Sequence, residues 1–325
     1  MKKGVIIVAG SLVILGTGLI LLFSAISDKK AYADPHMPGF DFVDSWGSYG
    51  SSDGLFDGTM TGLSVDQAGN VYAVDSENSR VQKFGPDGSF LLKWGDPSGI
   101  LNKKFNHPCD LAVSPGKNRI YVCDTYNNSI QTFTLAGDFV ASWGEAGGKD
   151  GQMNLPEGIA VGPSGDIYVA DTGNNRIQKF TPDGRFVLKW GGSGGAPGRF
   201  ARPIDLSIDG QGNIVVLDRN NFRVQKFDPS GAFISSWRLG ANTCSSIAVD
   251  ADSYAFLSNA DLNCIDIYSL AGEYLASFGE NQFQGVSGLA FDGRNLYAGD
   301  FVLNSILKFR KNMRGIEPSP MTNTI

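Results

Sequence analysis

Residues 158–191 read GIAVGPSGDIYVADTGNNRIQKFTPDGRFVLKWG. The stretch contains four short runs rich in β-branched and aromatic residues, which are Ile159–Val161, Ile167–Ala170, Ile177–Phe180 and Phe186–Trp190. Turn-forming segments, Pro-Ser-Gly-Asp, Gly-Asn-Asn and Pro-Asp-Gly, separate these runs. The stretch therefore predicts one small antiparallel sheet of four strands.

Related stretches follow one another through most of the chain. Six first strands can be recognised, and they begin near Leu63, Leu111, Ile159, Leu206, Ile247 and Leu289. The last repeat stops before its fourth strand, whereas Phe42–Gly47 precedes the first repeat and resembles Phe90–Gly95. A ring of blades leaves only short exposed edges. We therefore predict an all-β, six-bladed β-propeller of four-stranded antiparallel blades over about residues 40–310, closed by the N-terminal strand.

Composition agrees with this fold and restricts the partners. The chain has 325 residues, of which 42 are Gly and only 18% are charged, with a formal net charge of −6. Frequent Gly among β-branched and aromatic residues is typical of β-sheets joined by many turns. Nucleic-acid binding needs a basic surface, so we expect no nucleic-acid partner.

The N-terminal segment predicts export. Residues Gly4–Ser27 are uncharged and apolar after Lys2 and Lys3, and the run from Gly4 to Ile26 matches the ~20 residues of a membrane-spanning helix. Ala31-Tyr32-Ala33 also fits a signal-peptide cleavage site, so residues 1–33 are a membrane anchor or a signal peptide. Either reading places the propeller outside the cytoplasm. A linker at 34–39 and a tail at 311–325 would flank the propeller.

The repeat resembles the NHL repeat, whose core is Gly-Ile/Leu-Ala-Val, then Gly-Asn-Ile-Tyr-Val-Ala-Asp, then Asn-Asn-Arg-Ile-Gln-Lys-Phe. Residues 158–186 and 62–90 match this pattern best, and the fifth repeat departs most. The resemblance implies a propeller fold and leaves function open, because similar propellers serve as enzymes, RNA binders, sensors and scaffolds.

Residues that recur in most repeats are expected to build the blade. Asp171 ends a second strand and can pair with Arg176 at the start of the third. The five Trp residues also recur, and we expect them to pack between blades.

Residues that break the repeat are better candidates for function. Asp110 and Asp205 stand where other blades have Gly or Ser, at one mouth of the channel, with Glu157 and His107 nearby. Such carboxylates could hold Ca²⁺, which is also what a resemblance to enzymatic six-bladed propellers implies. The alternative is a hydrated acidic rim or ion pairs with Arg199 and Arg202.

The connections leading into the first strands predict a contact surface. These connections are long in four blades and short at 239–243 and 280–285. Tyr126 and Phe222 lie in turns between second and third strands on the same face, and Ile100 and Leu101 lie in a long connection. None of the four has a counterpart in other repeats. We expect a protein or extracellular ligand to bind this face.

The four cysteines predict disulfides in an exported protein. Three connectivities are possible, and we favour pairing within blades, Cys109 with Cys123 and Cys244 with Cys264. A structural zinc site is not expected, because no Cys-x-x-Cys is present.

The predicted function is that of a non-catalytic binding scaffold, exported and tethered to the membrane by the N-terminal helix. The alternative is a calcium-dependent, lactonase-like hydrolase at Asp110 and Asp205. An amidating lyase would need several histidines for zinc, and the chain has only two.

Overall fold

The computed structural model describes residues 38–95, 104–114, 116–241, 243–251 and 254–313. Over these ranges the chain forms 24 strands in six antiparallel sheets of four strands each. The first strands of the six sheets surround a central channel. The predicted all-β, six-bladed propeller is confirmed.

The strands of the first five blades follow the chain from the centre outward. Blades one and two contain β2 (Leu63–Val65), β3 (Val71–Asp75), β4 (Arg80–Phe84), β5 (Phe90–Trp94), β6 (Pro108–Ser114), β7 (Arg119–Asp124), β8 (Ser129–Thr134) and β9 (Phe139–Trp143). Blades three and four contain β10 (Gly158–Val161), β11 (Ile167–Asp171), β12 (Arg176–Phe180), β13 (Phe186–Gly191), β14 (Pro203–Ile208), β15 (Ile214–Asp218), β16 (Arg223–Phe227) and β17 (Phe233–Arg238). Blade five contains β18 (Ile247–Val249), β19 (Tyr254–Asn259), β20 (Cys264–Ser269) and β21 (Tyr274–Phe278).

Blade six combines strands from both ends of the described chain. Its strands, from the centre outward, are β22 (Val286–Phe291), β23 (Asn295–Asp300), β24 (Ser305–Met313) and β1 (Pro38–Trp46). Pro38 lies opposite Met313 and Trp46 lies opposite Ile306. The Phe40 ring also stacks on Phe278 of blade five, with 4.5 Å between ring centres. The strands thus extend slightly beyond the 40–310 range expected from the sequence.

Hydrophobic clusters join the blades into a ring. Within the described residues, six buried clusters each lie between two neighbouring blades, including one between blades six and one. In that cluster Phe56, Phe84 and Tyr297 are almost completely buried. Full burial of such a side chain contributes about 1.5–3 kcal/mol. The core is therefore distributed between blades rather than concentrated at the centre.

The aspartate that ends the second strand fixes the adjacent connection. Arg176 Nε donates to Asp171 Oδ2 at 2.6 Å, and the guanidinium also donates to the carbonyls of Gly148, Lys149 and Gln152. The same pair forms in blades one and four, between Asp75 and Arg80 and between Asp218 and Arg223. The expected structural role of these pairs is confirmed.

The Trp residues pack against glycines of the next blade. A Cβ atom added to Gly231, for example, would lie 2.8 Å from the Trp190 ring. Equivalent close approaches involve Trp46 and Gly88, Trp94 and Gly137, Trp143 and Gly184, and Trp237 and Gly272. The contacts place all five Trp side chains between blades, as expected from their recurrence.

The propeller has two ends, which we name by their connections. The loop face carries the turns between second and third strands and the connections from one blade to the next. The turn face carries the turns between first and second strands and between third and fourth strands.

The predicted N-terminal anchor at Gly4–Ile26, residues 34–37 of the predicted linker 34–39 and residues 314–325 of the predicted tail 311–325 lie outside the described residues. Within the described ranges, no helix has the length and apolar character needed to cross a bilayer.

Candidate functional site

The central channel brings the first strands of all blades together. It has a volume of about 260 Å³. Each first strand contributes a small residue to its wall, as expected from the sequence, and these are Ser64, Ala112, Ala160, Ser207, Ala248 and Ala290. Asp110 and Asp205 also line the channel.

Both aspartates bond to the backbone of the following blade. Asp110 accepts the N–H of Leu111 and, through its other oxygen, the N–H of Ile159 in blade three, both at 2.8 Å. Asp205 likewise accepts the N–H groups of Leu206 and Ile247, both at 2.7 Å. Each carboxylate therefore links two first strands that no β-ladder joins.

The glycines that stand at the same position in blades one and three have a steric explanation. A Cβ on Gly62 would lie 2.6 Å from the Asp110 Cα, and one on Gly158 would lie 2.7 Å from the Asp205 Cα. Glycine therefore allows the close approach of the blade whose aspartate faces it. The sequence identified these Asp positions as exceptions, and the structure shows that they form pairs with Gly.

Burial affects the ionisation of both aspartates. It raises the pKa of Asp205 to about 6, although hydrogen bonds from Ile247 and Ser246 oppose this shift. Burial and the nearby Asp205 charge raise the pKa of Asp110 well above its ordinary value. A raised pKa means that a proton competes with a cation for these carboxylates.

Asp110 and Asp205 do not make a complete calcium site by themselves. Calcium takes six to eight oxygen ligands, and the two carboxylates offer at most four oxygens, each of the two side chains also accepting backbone N–H bonds. In the described part of the chain, no group of three or more His, Cys, Asp or Glu side chains is placed to hold a metal ion.

Glu157 forms the ion pair that was expected as an alternative to metal binding. The Arg202 guanidinium lies 3.1 Å from Glu157 Oε1. Arg199 instead donates to the carbonyl of Gly191 at 3.0 Å. The Glu157–Arg202 pair joins the connections that lead into blades three and four at the loop face.

His107 lies in a cluster that the sequence did not predict. Its ring stacks on Tyr126 with 4.7 Å between ring centres, and its Nε2 lies 3.4 Å from Glu77 Oε1 in blade one. Its Nδ1 lies 3.7 Å from the Cys109 Sγ. The structure therefore brings together four side chains from blades one and two.

The exposed apolar residues of the loop face include two of the predicted contacts. Tyr126 and Phe222 are both exposed. The sequence interpretation missed Leu262 and the segment 301–303, which are exposed in the corresponding turns of blades five and six. An alignment of the turns between second and third strands would have shown these apolar residues as exceptions, because most blades have polar residues there. The other two predicted contacts, Ile100 and Leu101, lie outside the described residues.

The predicted disulfides are wrong, because all four cysteines are thiols. Cys123 is buried between blades two and three among apolar side chains, whereas the Cys109 Sγ faces His107. Cys244 is buried between blades four and five, and the Cys264 Sγ lies 3.8 Å from Asp266 Oδ1. The two thiols of each expected pair thus have different partners.

Comparison with known proteins agrees with the fold. The NHL repeat model matches residues 61–84, 105–133, 153–180 and 200–227, which belong to blades one to four. The chain therefore contains NHL repeats. No curated protein gives a significant match to its sequence.

Several solved structures are similar to this NHL-repeat propeller. A catalytically inactive virginiamycin B lyase from Staphylococcus aureus, solved with quinupristin, shares 14% identity over 84% of this chain and 99% of its own, with a TM-score of 0.58. A gluconolactonase from Xanthomonas campestris shares 14% identity over 79% of this chain and 87% of its own, with a TM-score of 0.60. A chain of a nidogen–laminin complex shares 16% identity over 72% and 84%, with a TM-score of 0.58. At these identities the likeness concerns the fold alone.

Proposed function

We propose that this NHL-repeat propeller is a non-catalytic scaffold that binds a protein partner on its loop face. The proposal rests on exposed apolar side chains in the turn between the second and third strands of blade six, where Phe301, Val302 and Leu303 are each 37–47% exposed. The equivalent turn of blade three contains Thr172–Asn174, and its Asn174 bonds to the blade aspartate. The apolar residues of blade six have no such role, and clustered exposed apolar side chains mark interaction surfaces.

The backbone of this turn is held in place. The N–H groups of Val302 and Leu303 both donate to Asp300 Oδ1 at 2.9 Å, and that of Phe301 donates to the Gly285 carbonyl at 2.9 Å. The three side chains are therefore presented on a fixed backbone. A preformed surface loses less conformational entropy on binding than a flexible one.

Blade five extends the surface with Leu262, which is 68% exposed. The connections at 239–243 and 280–285 are shorter than those of the other blades, so less chain surrounds the turns of blades five and six. We infer a protein partner that offers apolar or aromatic side chains to this surface, which consists of Leu262 and residues 301–303.

The position of the chain ends supports access to the loop face. β1 begins at the turn face, where Pro38 lies opposite Met313, and reaches the loop face at Trp46. The chain therefore enters the propeller at the end opposite to the proposed surface. With the apolar run from Gly4 to Ile26, we propose an exported propeller tethered on the outer side of the membrane.

Photo-crosslinking of the full chain in its native membrane tests the partner. A photoreactive amino acid at Val302 or at Leu262 is expected to form an adduct with the same protein, and Leu303→Asp should remove the adduct formed at Val302. The matched control places the photoreactive residue at Ser230, in an exposed turn of the turn face. The same adducts from Ser230, or adducts unaffected by Leu303→Asp, would refute the proposed surface.

A separate experiment tests the tether. The protein should remain in the membrane fraction after an alkaline wash, and mass spectrometry of the purified protein should find peptides from residues 1–33. A mature N-terminus at Asp34 would instead establish cleavage and a secreted propeller.

Added calcium distinguishes the scaffold from the hydrolase alternative. Two carboxylates supply fewer oxygens than calcium needs, so we expect no change in melting temperature on calcium addition. A calcium-dependent increase that is lost in a D110N/D205N double variant would favour the hydrolase.

A further inference from the structure

A contact between tyrosine, lysine and aspartate recurs on the turn face. In blade one, Lys83 Nζ lies 5.0 Å from the centre of the Tyr72 ring and 3.9 Å from Asp66 Oδ2. Tyr72 and Lys83 stand directly opposite each other in neighbouring strands. The same residue types meet in blades three and six, as Tyr168, Lys179 and Asp166 and as Tyr297, Lys308 and Asp292.

The lysine of this contact can also reach the next blade. Lys83 Nζ donates to the Leu135 carbonyl at 3.2 Å, and Lys308 Nζ donates to the Pro86 carbonyl at 2.7 Å. Both carbonyls belong to turns between third and fourth strands. The lysine side chain therefore occupies the space between two blades at the turn face.

Blade two keeps the tyrosine but lacks its two partners. Tyr121 stands opposite Thr132 in the strand register, where blade one has lysine. Ser114 follows the first-strand valine, where blade one has Asp66. The Tyr121 hydroxyl donates to the Pro182 carbonyl of blade three at 3.1 Å. Because threonine is shorter than lysine, a pocket of about 310 Å³ opens here, between blades two and three.

The lining of this pocket combines apolar surface with positive charge. Trp143, Val140 and Pro182 supply the apolar surface, and Lys117 and Arg119 supply two cations. Among the described residues, neither cation forms an ion pair, and Arg119 donates only to the neighbouring Asn118 carbonyl.

The acid at the pocket's edge is already paired. Asp183 lies 2.9 Å from Arg185 and accepts a bond from Thr181. The positive charge of Lys117 and Arg119 is therefore available to a bound anion.

We propose that this pocket binds a small aromatic carboxylate. The aromatic ring would pack against Trp143 and Pro182, and the carboxylate would bond to Arg119, whose planar guanidinium suits two-point recognition. The volume is near the lower limit of about 300 Å³ for small-molecule pockets, so one or two fused rings would fill it. This site lies on the turn face and does not depend on the proposed protein-binding surface.

The repeat itself supplies the decisive variant. Thr132→Lys places in blade two the lysine that blade one has, so it should fill the pocket and leave the fold intact. Calorimetric titration of the full chain with 2-naphthoate should show binding to the wild type and at least tenfold weaker binding to T132K. Thr132→Val is the matched control, because valine has nearly the shape of threonine and leaves the pocket open.

Two further measurements test 2-naphthoate binding without relying on T132K, which could fail to fold. Arg119→Gln should weaken 2-naphthoate binding at least fivefold, and the neutral 2-naphthamide should bind the wild type less tightly than 2-naphthoate. Absence of binding to the wild type would overturn the proposal. Equal binding of acid and amide, or equal binding to T132K and T132V, would also overturn it.

Discussion

The substitution Arg176→Ser tests the view that the recurring Asp–Arg pair holds the blade and its connection together. Arg176 makes four side-chain hydrogen bonds, one to Asp171 and three to the carbonyls of Gly148, Lys149 and Gln152. Serine is too short to replace any of them. The variant therefore leaves a buried carboxylate without its cation and releases the connection that leads into blade three.

The expected cost follows from what Asp171 retains. Removing one partner of a buried ion pair costs about 3–5 kcal/mol. Asp171 still accepts bonds from the side chains of Asn174 and Gln178 and from the backbone N–H of Asn154. We therefore place the loss of unfolding free energy near the lower limit, at about 3 kcal/mol.

Blade two shows that such a blade can still fold. Asp124 stands opposite Ser129 rather than arginine, and it accepts bonds from the backbone of Asn106 and the side chains of Asn127 and Gln131. Arg176→Ser gives blade three a comparable arrangement. The variant should therefore be folded, with reduced stability.

Urea unfolding followed by Trp fluorescence measures the effect. Hydrogen exchange over residues 145–157 should also accelerate, because three carbonyls of this connection each lose the bond from Arg176. Arg185→Ser is the control, since Arg185 pairs with Asp183 at the exposed surface, where solvent screens the charges, and its loss should change stability little. An Arg176→Ser stability within about 0.5 kcal/mol of wild type, the range of ordinary surface substitutions, would refute the reasoning.

Three further predictions concern the cysteines, the channel and the chain ends. Iodoacetamide should modify native Cys109 and spare the buried Cys123, Cys244 and Cys264. Because burial raises the pKa of the Cys109 thiol to about 12, the rate of labelling should rise about tenfold per pH unit from pH 7 to 10. Labelling of the native protein that persists in C109S would contradict this prediction. The pKa of Asp205 is raised to about 6, above the value of about 3.9 for an unfolded chain, so the folded state binds a proton more tightly than the unfolded state. The free energy of unfolding should therefore fall as pH rises from about 4 through 6, and it should fall less steeply in D205N. Equal pH dependence of wild type and D205N in urea unfolding would count against this shift. Deleting residues 38–47 removes β1 from blade six and should lower the melting temperature sharply, whereas an unchanged melt would show that β1 does not stabilise the ring.

Much of the blade could be predicted because its contacts are local in sequence. Asp171 and Arg176 are five residues apart, and their spacing recurs wherever the pair forms. The strands and turns likewise repeat with the residue types that each position requires. Residues 158–191 alone therefore predicted a four-stranded blade, and their repetition predicted the propeller.

The site depended on contacts that sequence spacing does not encode. The Asp110–Ile159 bond joins residues 49 apart, and Glu77 reaches His107 from a different blade. The cysteine pairing failed for the same reason, because location in one blade does not determine which way a thiol points.

The amino-acid sequence by itself determined the number of blades, the blade-building pairs and the positions that depart from the repeat. Only the tertiary structure decided what those departures do. In the structure, Asp110 and Asp205 link neighbouring blades, Phe301 and its neighbours are exposed, and a pocket lies beside Thr132. The physical reason is that a propeller packs each blade against the next, so a side chain's surroundings come largely from a repeat remote in the chain.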